Sequence, residues 1–278
     1  MLSALAKLMD ELSHRLYVLP DVEIVFLFVI LTVSYTFFVY YILQFTLGRL
    51  ALPTDTYFGV TIVGTLTSLN AVLLIFTLVQ AINTNSKAKS LVMSEISSVE
   101  LFNKKLNFIP EQQAAEIRHQ LGDYLDAVAV SGWDAMITGI PSKKTEAIFS
   151  HLINTIPHLR DNKEIDRDYL KEIFSSFADL VKSRYDRLKM GGTRLPYYYL
   201  LAIFFLFTLH ILQFFLLTKP NKYSLSILEI HMACLGLLLG IVVVYDHPFE
   251  GETSIKPELY HELSLKLQNE NNYFGNSP

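Results

Sequence analysis

Four apolar stretches constrain this chain more than any other feature. They run Ile24–Leu47, Phe58–Ile82, Pro196–Thr218 and Leu225–Tyr245. At ~1.5 Å of rise per helical residue, each is long enough to cross ~30 Å of hydrocarbon. A soluble chain seldom carries one such run, so four together predict a membrane protein. Its function must come from what four spans and one large polar insert can do together.

The insert, Asn83–Leu195, separates the second span from the third and is long enough to form a helical layer of its own. A net charge of −4 and a pI near 6.1 argue against a nucleic-acid partner, which calls for a basic face. The single cysteine, Cys234, lies inside the fourth span, so no disulfide framework is available. The N-terminal residues lack a basic run followed by a short apolar core and a small-residue cleavage site. The first span is therefore expected to be retained.

The cations give the orientation. Of the 23 Lys and Arg residues, 16 lie in the insert, and Lys7, Arg15, Lys256 and Lys266 lie on the terminal segments. Arg49, Lys219 and Lys222 remain for the opposite side. Lys87, Lys89, Arg184, Arg187, Lys189 and Arg194 sit near membrane ends, where positive charge counts most. Both termini and the insert are thus expected to be cytoplasmic, in a cell (inner or plasma) membrane. The expected divisions are an N-terminal segment 1–20, a membrane hairpin 21–82, a cytoplasmic domain 83–195, a second hairpin 196–245 and a C-terminal segment 246–278.

Within these divisions, Leu2, Leu5, Leu8, Leu12 and Leu16 recur at helical spacing, predicting an amphipathic helix over residues 2–17. No proline or glycine falls between Val79 and Phe108, so the second helix should continue past the membrane through Ser86–Leu106. Pro110-Glu111 reads as a new helix start, with that helix ending at Ser131-Gly132. Gly139-Ile140-Pro141-Ser142 reads as a turn, followed by a short helix near Thr145–Asn154. A longer helix from about Asn162 to Met190 should stop at Gly191-Gly192. Nothing alternates as a strand would, so the fold class is all-α.

Enzyme signatures are missing. The chain has no phosphate-binding glycine loop, no HExxH and no Cys/His metal spacing. The expectation is a protein that is not an enzyme, with no catalytic residues, no cofactor and no metal. The second span says more. On a wheel of about 100° per residue centred on Asn70, one stripe holds Val63, Leu66, Thr67, Leu73, Leu74, Thr77, Ala81 and Thr84, and Glu95 falls on its extension. In a symmetric ring of such helices this stripe would line a pore. Asn70 and Thr77 would hydrate an ion, the leucines would form an apolar constriction, and a ring of Glu95 would favour cations. In a packed bundle, the same polar groups would instead bond across helices.

Ionisable groups inside a membrane are costly and draw attention for that reason. Here they are His210 in the third span, and Glu229 and His231 in the fourth. By depth, Glu229 can pair with His210, or with Lys222 by snorkelling; a structural pair and a proton relay are both open. Gly236 and Gly240 form a GxxxG pattern that permits close helix packing within or between subunits.

After the fourth span the chain reads Tyr245-Asp246-His247-Pro248-Phe249-Glu250-Gly251-Glu252. This D-x-P-F-x-G stretch resembles the bestrophin-like family, a mostly prokaryotic family of unknown function distantly related to bestrophin channels. Glu95 beyond the second span, the Tyr124–Trp133 spacing and the order of two spans, insert and two spans agree with that resemblance. It implies a homo-oligomeric ion channel, pentameric as bestrophins are, with the second helix lining a central pore and membrane lipids and a permeant ion as partners. Bestrophins follow their N-P-F-G with a dense acidic run that binds calcium. This chain carries only Asp246, Glu250 and Glu252 there, so calcium gating is not expected. Pro248 cannot continue the fourth helix. Asp246, Pro248, Phe249 and Gly251 then form either a structural elbow or part of a gate. The alternative to conduction is a membrane-anchored interaction or stress-response scaffold.

Overall fold

The computed structural model describes residues 15–47, 56–162, 165–217 and 222–275, with side chains at 56–63 and 270–275 left out of the description. The amphipathic helix expected over residues 2–17 therefore lies almost wholly outside the described residues. The described chain is helical throughout, as its sequence pattern predicts. The helices are α1 (Asp21–Leu47), α2 (Thr56–Lys105), α3 (Glu111–Ala127), α4 (Trp133–Thr138), α5 (Lys143–Thr155), α6 (Arg167–Leu188), α7 (Tyr197–Leu217), α8 (Lys222–Asp246) and α9 (Glu258–Gly275). Four of them, α1, α2, α7 and α8, are long and apolar enough to cross a membrane.

The chain forms two compact units, one from Met1–Asn85 with Arg194–Ser254 and one from Ser86–Thr193 with Ile255–Pro278. Ser254 and Ile255 thus fall in different units.

In the first unit, α1 begins directly after Pro20, with Asp21 and Glu23 in the first turn, where their charge opposes the positive end of the helix dipole. Its closest neighbour is α8. A Cβ added to Gly240 would lie 2.7 Å from the Val25 Cα, and one added to Gly236 would lie 2.0 Å from the Thr32 Oγ1. The GxxxG face is therefore spent inside the chain, with the two backbones as close as glycine allows. The Thr32 hydroxyl donates back to the Phe28 carbonyl (2.9 Å), leaving no orphan in the seam. Further along α1, Tyr35 and Thr208 share a 2.6 Å hydrogen bond that ties in α7. Tyr40, Leu74, Phe207, Phe214, Met232 and Leu239 belong to the apolar core of this unit.

In the second unit, α2 ends in a 3-10 turn, Leu106–Phe108, before Pro110. The buried Arg118 guanidinium gathers this corner. It donates to Asn103 Oδ1 (3.2 Å), Asn107 Oδ1 (2.6 Å) and Glu111 Oε1 (2.9 Å). The helix expected to stop at Ser131-Gly132 does not stop. It widens into a π turn, Val128–Gly132, and runs on as α4 to Gly139, which takes φ 71°. The Ser131 hydroxyl donates to the Ala127 carbonyl at 3.0 Å, so a residue read as a breaker serves the helix instead. Ser142 caps α5, and Asp166 caps α6 through a 2.7 Å bond from the Asp168 N–H. Gly139 and Gly192, both at positive φ, meet backbone to backbone; a Cβ on Gly192 would lie 3.1 Å from the Gly139 Cα.

Candidate functional site

The stripe expected to line a pore faces the interior of the chain. Asn70 is 1% exposed, Leu74 1%, Thr77 0% and Ala81 1%. Leu66, Thr67, Leu73 and Thr84 are half-buried, and the Val63 side chain lies outside the described residues. Assembly only adds burial, so in this conformation Asn70, Leu74, Thr77 and Ala81 cannot face an aqueous lumen. Local chemistry explains the reversal for the threonines, whereas the Asn70 amide is buried without a hydrogen-bond partner. The Thr77 hydroxyl donates to the Leu73 carbonyl (2.8 Å) and that of Thr84 to Gln80 (3.0 Å). A threonine satisfied by its own helix packs as a small, shape-filling residue. Leu74 joins the apolar core, and the turns above and below it follow.

The opposite face of α2 is open. Leu69, Val72, Phe76 and Val79 are large exposed apolar residues, with Val72 at 63% and Phe76 at 58%. They recur three and four apart, so they share one face. Gln80 and Asn83, both exposed, continue it. Further along the same helix, within the second unit, Lys87, Ser90, Ser94 and Ser97 are exposed.

Glu95 is likewise turned inward, at 0% exposure. Its carboxylate forms a buried ion pair with Arg187, whose Nε donates to Oε2 and whose Nη2 donates to Oε1 at 3.3 Å. The Tyr124 hydroxyl donates to Oε1, and the Tyr260 hydroxyl to Oε2 at 2.8 Å. Four segments of the second unit, α2, α3, α6 and α9, thus converge on one carboxylate. Burial and the adjacent Glu95 charge push both tyrosines above their ordinary titration range, so they stay protonated as donors. Burial works against the charge on Arg187, but Glu95 outweighs it and holds the guanidinium above its ordinary range. Trp133, the other residue of the Tyr124–Trp133 spacing, meets the Tyr260 ring edge-on with centroids 5.8 Å apart. Sequence reading alone did not place Arg187 or Tyr260 in a site. The Arg187–Glu95 contact spans 92 residues, and no local spacing announces it.

The elbow after α8 is knitted into the first unit. Asp246, the last residue of α8, accepts a 2.5 Å hydrogen bond from the Leu195 N–H, just before α7. The His247 ring lies 4.0 Å from that of Tyr17, whose hydroxyl donates to the Val243 carbonyl at 2.8 Å. Asp21, at the head of α1, accepts from the Thr253 N–H (3.1 Å) and from the Thr253 hydroxyl. Gly251 turns the chain at φ 99°, and Phe249 is buried. This geometry is that of a staple between helix ends. Removing the Asp246 acceptor strands a partly buried backbone donor. Asp246→Ala is expected to lower stability by about 1–3 kcal/mol. Asp246→Asn, which keeps an acceptor, should recover most of that loss in a thermal unfolding series in detergent.

Of the intramembrane groups, His210 faces His231, with ring centroids 5.0 Å apart. Glu229 pairs with neither His210 nor Lys222; both its carboxylate oxygens are buried without a hydrogen-bond partner. It lies two residues from His231, about 200° round the helix, and so points elsewhere.

The bestrophin-like domain matches residues 27–260 of the chain. A crystal structure of a bacterial bestrophin homologue from Klebsiella pneumoniae is 15% identical with a TM-score of 0.65, covering 91% of this chain and 99% of that one. A variant of that homologue gives a TM-score of 0.67 at 15% identity, covering 88% and 98%. A further membrane-protein crystal structure gives 0.69 at 15% identity, covering 89% and 98%. No curated protein matches the chain. At such identity these likenesses establish the fold, and the domain match establishes the lineage. The chain belongs to the bestrophin-like family.

Proposed function

We propose that this protein assembles as a closed ring, pentameric as its family resemblance implies, and conducts ions passively through a pore lined by the exposed face of α2. The observation that carries the reading is that face itself. It leaves Leu69, Val72, Phe76 and Val79 uncovered in the span, with Gln80 and Asn83 beyond them. Such an order suits an apolar constriction that gates by dewetting and opens onto a polar vestibule. The insert and both termini are assigned to the cytoplasm on the distribution of positive charge.

A ring of Glu95 would favour cations, but Arg187 neutralises that carboxylate within each chain. Lys87, further along the same helix in the second unit, is exposed and cationic. We therefore assign anion preference to the pore.

Cysteine accessibility tests the face. In a Cys234→Ser background, a thiol-reactive anion should block current through Phe76→Cys and leave Thr77→Cys unaffected. Block at Thr77→Cys alone would return the pore to the buried stripe. Lys87→Glu should move the reversal potential in asymmetric KCl toward the potassium value.

A second reading is a non-conducting membrane scaffold whose insert binds a cytosolic protein. Burial of Asn70 and Thr77 between spans favours it, because that packing is what a bundle without a pore would use. Ring assembly without any current would select this reading.

A further inference from the structure

The third and fourth spans bring two imidazoles together where hydrocarbon surrounds the protein. His210, on α7, is 2% exposed, and His231 lies opposite on α8. The ring centroids are 5.0 Å apart and the planes are tilted by 50°. His210 Nδ1 and His231 Nε2 are buried without a hydrogen-bond partner. One turn along α7, both amide atoms of Gln213 are also buried and unpartnered. Residues three apart share a helix face, so the Gln213 amide lies on the His210 side of α7.

Unpaired polar atoms in an apolar surround are costly. Packing alone gives no reason for two unpartnered imidazoles to meet across α7 and α8, with an unpartnered amide one turn away on α7. A shared ligand would satisfy them. Neutral imidazole nitrogen is a preferred donor for zinc, copper and related divalent ions. With Zn–N bonds of about 2.0–2.1 Å and a tetrahedral angle, two imidazoles on one ion hold their centroids about 5 Å apart. The separation across α7 and α8 is that distance. A third His, Cys, Asp or Glu does not join them among the described residues. The remaining positions fall to the Gln213 carbonyl oxygen and water.

We propose that His210 and His231 form a binding site for a borderline divalent transition metal, with Gln213 as a supporting ligand, that clamps α7 to α8. The site is separate from the exposed face of α2, and the proposal does not depend on whether the ring conducts.

Cobalt(II) is the probe, because a tetrahedral nitrogen site gives intense visible bands that weak surface sites do not. The full-length protein, purified in detergent without metal, is titrated with CoCl2, followed by competition with ZnCl2. One intense-band cobalt per chain, displaced by zinc, is expected. His231→Gln should abolish the bands and weaken zinc binding at least about tenfold, with helicity unchanged by circular dichroism. His210→Gln should do the same. If that fully buried change prevents folding, the half-buried His231 decides the matter alone. Wild-type protein without these bands, or His231→Gln retaining them in full, would overturn the proposal.

Discussion

Arg187→Met should destabilise this protein by about 3–5 kcal/mol, because it leaves the Glu95 carboxylate buried without its counter-charge. The two groups are 0% exposed. Tyr124 and Tyr260 still donate to Glu95, but two neutral donors do not replace a cation. At about 2–4 °C per kcal/mol for a protein of this size, the unfolding midpoint should drop by roughly 6–20 °C. Fluorescence-detected gel filtration after heating in detergent measures this directly. The double variant Glu95→Met/Arg187→Met removes both charges, so it should be markedly more stable than Arg187→Met alone. A drop below about 1 kcal/mol for Arg187→Met, the range of an exposed pair, would mean that water reaches the cluster.

The second large effect lies between α1 and α8. Gly240→Leu forces a side chain onto backbone, since even a Cβ there would lie 2.7 Å from the Val25 Cα and 3.2 Å from its carbonyl oxygen. No rotamer relieves that contact, so the helices must separate. The expected cost exceeds the roughly 1–3 kcal/mol of ordinary overpacking, and little folded protein should be recovered. Gly236→Ala is different in kind. Its nearest obstacle is the Thr32 hydroxyl, a removable group, with the Phe28 carbonyl next at 3.0 Å. Thr32→Ala should therefore partly rescue Gly236→Ala and leave Gly240→Leu unrescued. Equal rescue of both would show that the seam is looser than these distances imply.

The fold was legible because it is written in local signals. Four apolar runs give four helices. The absence of proline and glycine from Val79 to Phe108 gives the single long α2. The phase of that helix was not legible. Thr77 and Asn70 look like water-facing residues on a wheel, yet a threonine that bonds its own helix carries no such preference. The large exposed side chains Val72 and Phe76 look like packing residues, and only the neighbouring helices reveal which side was left open. Ser131-Gly132 was misread for a related reason, since a π turn absorbs both residues without breaking the helix. The Glu95 cluster was half legible. Glu95 and Tyr124 stood out through the family resemblance, but Arg187 and Tyr260 reach the carboxylate from α6 and α9, far along the chain. The D-x-P-F-x-G stretch pointed to a turn at Pro248, and the structure adds what that turn holds: Asp246 to the start of α7, and Thr253 to Asp21.

The central claim is that a ring of these chains conducts ions, and current through purified protein in planar bilayers tests it most directly. In asymmetric KCl, discrete openings absent from a mock preparation are predicted, with a reversal potential on the chloride side. No openings across voltage, calcium and pH, from protein that gel filtration shows to be assembled, would contradict it.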